Sequence, residues 1–326
     1  EGYFMGVRLR MVSYVSAYRA YQIVRALLRG RPLALSDAGD VDGIVSAVLF
    51  KMVEPSAEIV LAHPQDVLRS LVLRSVYWDF VADLPCPGKA RLRADHHKTN
   101  PPCADEEFYD PSAPASAYLA MKALSLEDDP RASTLVSLAI ETDTADIKSQ
   151  EALLLDSAVK GAGYKGRVRL VRLLAEEGLD ALKHEVVQAW ISRHEEVKAR
   201  TEAIASRIPV KRATVVAFKK NLKLAYRYLT ILLERRGAEF TLVLVPRDFF
   251  KYRVYAGAKP SSGFDASLIA SQLGGGGHEF AAGALFRAPT FNAALRRVMS
   301  AAKELYNLDN DLVIVYSEEE VREEGK

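Results

Sequence analysis

The stretch RLRADHHK, residues 91–98, runs from strand-like residues straight into an acid, two imidazoles and a lysine. Charged and imidazole groups gathered where a strand stops suit the carboxyl edge of an open parallel sheet, which is where ligands bind. The arrangement recurs along the first half of the chain. PLALS (32–36) reads as a short buried strand and is followed by DAGDVDG, with Asp37, Asp40 and Asp42. SVYW (75–78) is followed by Asp79, with Asp83 four residues on, and the apolar helix TLVSLAIE (134–141) is followed by Asp143.

Around these clusters the sequence alternates strand and helix. EIVLA (58–62) and SVYWDF (75–80) read as the next strands, and helical spacing covers 12–28, 44–52, 113–123, 132–141 and 151–159. Such alternation predicts an α/β domain whose parallel sheet carries helices on both faces. Residues 167–208 are charged, rich in Leu, Ala and Val, and free of strand signals, which predicts paired helices closing one domain and bridging to another. ATVVAF (213–218), EFTLVLVP (239–246), YRVYAG (252–257) and LVIVY (312–316) then read as strands, with helices at 229–235 and 266–273. The expected organisation is a first domain over 1–185, a helical linker over 186–208 and a smaller mixed α/β domain over 209–326. The tail SEEEVREEGK (317–326) reads as solvated and poorly ordered.

The 326 residues leave room for two ordinary domains, each with a core, and 49% hydrophobic content is that of a globular protein. A net charge of +2 rules out a general basic coat, so a polyanion would have to meet a local patch. Lys211, Arg212, Lys219, Lys220 and Lys223 are one candidate and equally a solvated face. No apolar run approaches the roughly 20 residues of a membrane helix, and EGYFMGVRLRM at the start lacks the core of a secretory signal. Cys86 and Cys103 alone make no disulfide framework, so free thiols in a reducing cytoplasm are expected. Sparse Asn and Gln beside abundant Arg, Lys and Glu hint at a thermophilic source.

Carboxylates gathered at one edge repel unless a cation sits among them. Oxygen donors call for a hard divalent ion, and a nitrogen among them favours manganese or a similar transition metal over calcium. Two such ions roughly 3.5–4 Å apart are a hydrolytic device, clamping phosphoryl oxygens and acidifying a bound water. Taken singly, each residue has a simpler role. Asp40 and Asp42 suit a helix cap, Asp79 a strand-end turn, His96 and His97 an exposed loop and Asp143 a helix end, while Asp83 reads as structural. The glycine run in SQLGGGGHEFAAG (271–283) reads either as a spacer or as backbone brought against an anion, with His278 as a side-chain donor. It fits neither a P-loop nor G-x-G-x-x-G.

These pieces together resemble the DHH/DHHA1 phosphoesterase superfamily. Its members include bacterial-type RecJ exonucleases, oligoribonucleases that also act on phosphoadenosine phosphate, cyclic-dinucleotide phosphodiesterases and family II pyrophosphatases. DVDGIVSA (40–47) resembles the first motif, Asp79 the second, DHHK (95–98) the third, ETDT (141–144) the fourth, and GGGGHEFAAG (274–283) the DHHA1 signature. In order they cover nearly the whole chain. The resemblance implies that Asp40 and Asp79 hold one Mn²⁺, and that Asp42, Asp79, His96 and Asp143 hold the other. Asp79 would bridge, and Mg²⁺ is the alternative ion. It also implies that Asp95 orients a neighbour, that His97 faces the substrate phosphate with Lys98 close by, and that His278 with Gly275, Gly276 and Gly277 grips the nucleotide. The chain departs from the family in two respects. Ala38 and Ser36 stand where a further His or Asp is usual, so either Asp37 substitutes as a ligand or one ion is weakly held. Near Gly257 a phosphate-binding arginine is missing, for which Arg253 or Lys259 would serve.

The function expected from the resemblance is a manganese-dependent phosphodiesterase or phosphatase, a cytoplasmic hydrolase cleaving short oligonucleotides or small nucleotides. A RecJ-like single-strand exonuclease is the nearest alternative. A replication-associated scaffold related to RecJ, with reduced or no catalysis and a replication-protein partner, is the non-enzymatic one. No membrane partner is expected, and a homodimer is compatible with either reading.

Overall fold

The parallel sheet is organised around its first strand. In chain order the first part of the computed structural model comprises α1 (Tyr14–Leu28), β1 (Leu33–Asp37), α2 (Val41–Val53), β2 (Glu58–Ala62), α3 (Pro64–Arg69), α4 (Leu71–Arg74), β3 (Tyr77–Ala82), β4 (Lys89–Asp95) and β5 (Ala104–Tyr109). Then follow α5 (Ser116–Ala123), α6 (Pro130–Asp143), α7 (Gln150–Gly161), α8 (Tyr164–Glu177), a 3₁₀ turn (Gly178–Lys183) and α9 (Glu185–Arg207). The structure describes residues 14–144, 146–308 and 312–324. The chain divides into two units, Glu1–His194 and Glu195–Lys326, and the division falls inside α9, the segment expected to be a linker.

Five parallel strands lie in the order β2-β1-β3-β4-β5. All five residues of β1 are buried, because both faces of the sheet are covered. Leu33 and Leu35 pack with Trp78 and Val81 against Ile23 of α1 and Leu73 of α4. Ala34, Phe80 and Leu92 pack on the opposite face with α2, α5 and α6. Phe50 of α2 and Phe80 stack there with ring centroids 4.9 Å apart. From β1 the chain goes to β2 on one side and to β3 on the other. That reversal opens a crevice beyond their carboxyl ends, the usual ligand position in such sheets.

α2 closes down on the end of β1. A Cβ at Gly43 would stand 2.5 Å from the Asp37 carbonyl oxygen, so only glycine permits the approach. The Ser36 hydroxyl donates to the Gly43 carbonyl at 2.6 Å and ties the two elements together.

Two expectations are corrected here. β3 runs on to Ala82, so Asp79 lies within the strand and Asp83 stands at its end. Cys86 and Cys103 are not free thiols: they form a disulfide. The register brings this about, since Ala90 of β4 pairs with Ala104, the residue after Cys103. Among the described residues no helix is long and apolar enough to cross a membrane.

The second unit adds β6 (Ala213–Phe218), α10 (Tyr226–Arg235), β7 (Phe240–Asp248), β8 (Lys251–Ala258), α11 (Ala266–Gln272), β9 (Gly276–His278), β10 (Ala281–Arg287), α12 (Phe291–Tyr306), β11 (Leu312–Val315) and β12 (Val321–Glu324). Its mixed sheet has the order β12-β11-β6-β7-β8-β10-β9. The acidic tail is therefore not simply solvated: Val321–Glu324 pairs antiparallel with β11. The glycine run is not a spacer either. Cβ atoms at Gly275 and Gly277 would come within 2.2 Å of the Gly283 carbonyl oxygen and 2.5 Å of the Ala282 Cα, so these glycines let a tight edge hairpin form against β10.

The disulfide spans a sequence separation of 17, and closing a loop of that length is worth about 3 kcal/mol. Replacing both cysteines by serine should lower the unfolding midpoint of the first unit, and reductant should bring the parent down to the same midpoint. A parent insensitive to reductant would rule the bridge out.

Candidate metal centre

Asp37 ends β1, and Asp40 and Asp42 flank the start of α2. Asp40 is the N-cap, accepting the Gly43 N–H at 3.2 Å. Asp42 points from the first turn of α2 to the start of α5, where its two oxygens accept the N–H groups of Ser116 (2.8 Å) and Ala117 (2.7 Å). α5 has no side-chain cap of its own. Asp83 follows β3 with φ +57°, in the left-handed region that Asp and Asn tolerate better than most residues. It is buried and accepts the Ser116 hydroxyl at 3.0 Å.

The third motif is set by Asp95, which is fully buried at the end of β4. One of its oxygens accepts from Arg93 Nη1 (3.0 Å) and Asn100 Nδ2 (2.8 Å). The other takes the His97 backbone N–H (3.2 Å) and faces His97 Nδ1 at 3.0 Å. With four donors satisfied, Asp95 holds its loop. His96 Nδ1 lies 3.1 Å from the Ala113 carbonyl, which can only accept, so Nδ1 carries the proton and Nε2 is left as a ligand atom. That Nε2 lies 3.7 Å from Asp143, 3.9 Å from Asp42 and 4.0 Å from Asp83. Asp143 is the last residue of α6, where a negative charge meets the negative end of the helix dipole. A cation held beside it offsets that cost.

Among the described residues, ligand atoms within 4.8 Å of one another define three sets: Asp42, His96 and Asp143; Asp37, Asp40 and Asp83; and Asp83, His96 and His97. Because His97 Nδ1 is engaged by Asp95, the first two sets are the better ion sites, with Asp83 the carboxylate common to both neighbourhoods. The donor set fits a divalent metal: carboxylate oxygens with one imidazole nitrogen suit manganese or magnesium. The electrostatics agree. Burial pushes the Asp42 carboxyl up to about 8, with Asp40 and Asp143 adding repulsion. Burial and Asp37 push Asp40 up to about 6, and burial raises Asp83 well above the usual carboxylate range. The charges are thus poorly compensated by the protein alone.

Asp79 is not among these groups. Its Oδ2 accepts the Leu33 N–H at 2.8 Å, at the opposite end of β1 and about 13 Å of strand from Asp83. Lys98 is exposed on the loop after His97. In the second unit His278 and Gly275–277 lie on or beside the exposed edge strand β9, and Gly276 has open space where a Cβ would be. Arg253 stacks its guanidinium over Tyr255 at 5.1 Å, and the Lys259 N–H pairs with Glu239. Arg93 escaped the sequence reading, as did Arg167, whose Nη1 donates to the Ala38 carbonyl at 2.7 Å beneath the acidic loop.

No protein-family model matches the sequence, and no curated protein does. Solved structures match the fold. A pGpG-specific phosphodiesterase from Vibrio cholerae aligns with a TM-score of 0.63 at 16% identity, over 83% of this chain and 98% of its own. The DHH domain of a member of a ribosomal-protein family aligns at 0.57 and 14% identity, over 91% and 93%. The fold is that of the DHH-domain proteins. An exonuclease RecJ bound to manganese aligns at 0.54 and 14% identity, over 90% of this chain and 95% of its own. In this DHH fold the groups of Asp42, Asp83, His96 and Asp143 stand at the crevice beyond the strand ends.

The raised carboxyls fix a sign. They hold protons to higher pH in the folded chain than their unfolded value of about 4. Their contribution to stability is therefore complete below that pH and is lost as pH rises through about 6 for Asp40 and about 8 for Asp42. Thermal melts of metal-free protein should fall across this window, and saturating Mn²⁺ should reverse the fall. Asp83→Asn, which keeps the backbone conformation, should melt higher than the parent at pH 8 without metal and gain little from Mn²⁺. Equal Mn²⁺ gains in both proteins would remove Asp83 from the site.

Proposed function

We propose that the chain is a divalent-metal-dependent phosphoesterase, with manganese as the working ion, that hydrolyses phosphoester bonds of short oligonucleotides or small nucleotides. The observation that carries this is the convergence of Asp37, Asp40, Asp83, His97 and Asp143 on one cavity of about 410 Å³. Divalent ions bound there supply a water-derived nucleophile at neutral pH and countercharge for phosphoryl oxygens. Asp37, Asp40 and Asp83 would hold one ion, and Asp42, His96, Asp143 and Asp83 the other.

His97 is half exposed and lines the cavity. Its hydrogen bond to Asp95 raises its pKa, so the ring stays protonated to higher pH. With Nδ1 held, Nε2–H is the donor offered to a phosphoryl oxygen or to the leaving group. Lys98, next along the loop, adds positive charge. The rest of the cavity lining includes Pro64, Leu68, Pro85 and Pro101, and no Lys or Arg among the described residues. That wall, with Thr99 and Asn100 as further polar members, suits the face and edge of a nucleobase beside one phosphate better than it suits inorganic pyrophosphate, which calls for several cations. The similarity to a pGpG-specific phosphodiesterase and to RecJ supports the same substrate class. Roles for His278, Gly275, Gly276, Gly277, Lys259 and Arg253 in gripping substrate rest on the resemblance of the second unit.

The test is a panel with Mn²⁺: short RNA, short DNA, phosphoadenosine phosphate, cyclic di-AMP and pyrophosphate. Turnover of a nucleotide member, abolished by chelation and by His96→Ala with the fold retained, is the expected outcome. A Mn²⁺-loaded protein that turns over none of them refutes the enzyme reading. His278→Ala should raise KM more than it lowers kcat; a fall in kcat at unchanged KM would place His278 in transition-state stabilisation instead.

A further inference from the structure

Of the two groups proposed to hold ions, one contains an imidazole and the other, Asp37, Asp40 and Asp83, contains none. An imidazole nevertheless approaches it from another strand. β1 and β2 pair in parallel with Asp37 level with Ala62, and the Ala38 N–H donates to the Ala62 carbonyl at 2.9 Å. This register puts the next residue, His63, beside the acidic loop. Its backbone is fixed by Pro64 at the start of α3 and by its N–H on Asp66 Oδ2 at 3.3 Å, while Asp66 is itself paired with Arg19 at 2.9 Å. The His63 ring is half exposed, and its Nδ1 lies 3.5 Å from Asp37 Oδ1. The Gly39 N–H donates to that same oxygen at 3.1 Å. Among the described residues Oδ2 accepts no hydrogen bond. Gly39 keeps this corner open, since a Cβ there would stand 3.1 Å from Asp37 Oδ2 and 3.6 Å from His63 Nδ1.

We infer that His63 is a positioning residue for the metal centre: with the Gly39 amide it fixes Asp37 Oδ1, so that Oδ2 is presented to an ion shared with Asp40 and Asp83. The inference rests on the metal-centre reading above and adds to it a residue from outside every motif. It also explains how Asp37 can serve although Ala38 and Ser36 offer no ligand. The His63–Asp37 contact is at an ion-pair distance rather than a hydrogen bond, and outer-shell support of a ligating group typically changes metal affinity by about 10–100-fold.

The experiment is Mn²⁺ titration of the metal-free full chain, followed by calorimetry and by the electron paramagnetic resonance of free Mn²⁺, with no substrate present. His63→Ala should weaken one of two bound ions at least about tenfold and leave the other unchanged. The metal-free protein should melt at most slightly lower, by what the His63 side chain contributes to the start of α3. His63→Asn, whose Nδ2 takes the place of the ring Nδ1, should restore most of the affinity, as a loss of bulk alone would not allow. In an Asp37→Ala background His63→Ala should cost nothing further, because the two act as one unit. Two ions bound with parental affinity by His63→Ala, or losses that multiply in the double variant, would overturn the inference while leaving the metal centre standing. If the parent chain itself binds no Mn²⁺, the metal centre fails, and this inference with it.

Discussion

Mutual repulsion of carboxylates crowded at one sheet edge is the constraint around which the first unit is built. Strand register forces the crowding: Ser36 lies level with Ala82 across β1 and β3, so Asp37 and Asp83 emerge side by side. The protein answers the repulsion unequally. Asp95 is given four donors, one of them the buried Arg93 guanidinium, and is a finished structural ion. Asp40, Asp42 and Asp83 receive less and are pushed toward protonation. This difference in compensation separates the carboxylate that holds the loop from those whose charge the protein leaves poorly compensated.

The two readings offered for Asp40, helix cap or ligand, are not in competition. Asp40 caps α2 through one oxygen and still stands with Asp37 and Asp83. A helix N-terminus aims amide donors at the same point where the parallel sheet gathers its acids, so the cap position also places Asp40 beside Asp37 and Asp83. Arg167 shows the complementary device. It reaches from α8 to brace the Ala38 carbonyl, and its charge faces Asp37 and Asp40 without lying among the ligands.

Much of the fold was legible because buried strands betray themselves. EIVLA and ATVVAF coincide with β2 and β6. The error that mattered was a strand end. SVYWDF reads as a strand ending at Phe80, which puts Asp79 near its end, whereas Val81 and Ala82 continue β3 as buried residues. Because a carboxylate at such a site is defined by where its strand stops, four residues moved the assignment from Asp83 to Asp79. The apolar run up to Asp83, followed by Pro85, was the available signal. His63 carried a similar signal, directly after EIVLA, but a single imidazole announces little without the register that brings it beside Asp37. The disulfide was illegible for a related reason: only strand pairing brings residues 86 and 103 together. β5, as ADEEFY, has too many charges to declare itself, being an edge strand with one solvated side.

The helix that borrows its cap has one more consequence. The first free amides of α5 end on the two oxygens of Asp42, so anything that alters that carboxylate is felt by the peptide groups of Ser116 and Ala117. α5 therefore works as a built-in gauge. Its leading amide resonances should register whether Asp42 carries a proton, a bare charge or a counterion, and a nuclear magnetic resonance spectrum could follow the state of the crevice without any substrate being turned over.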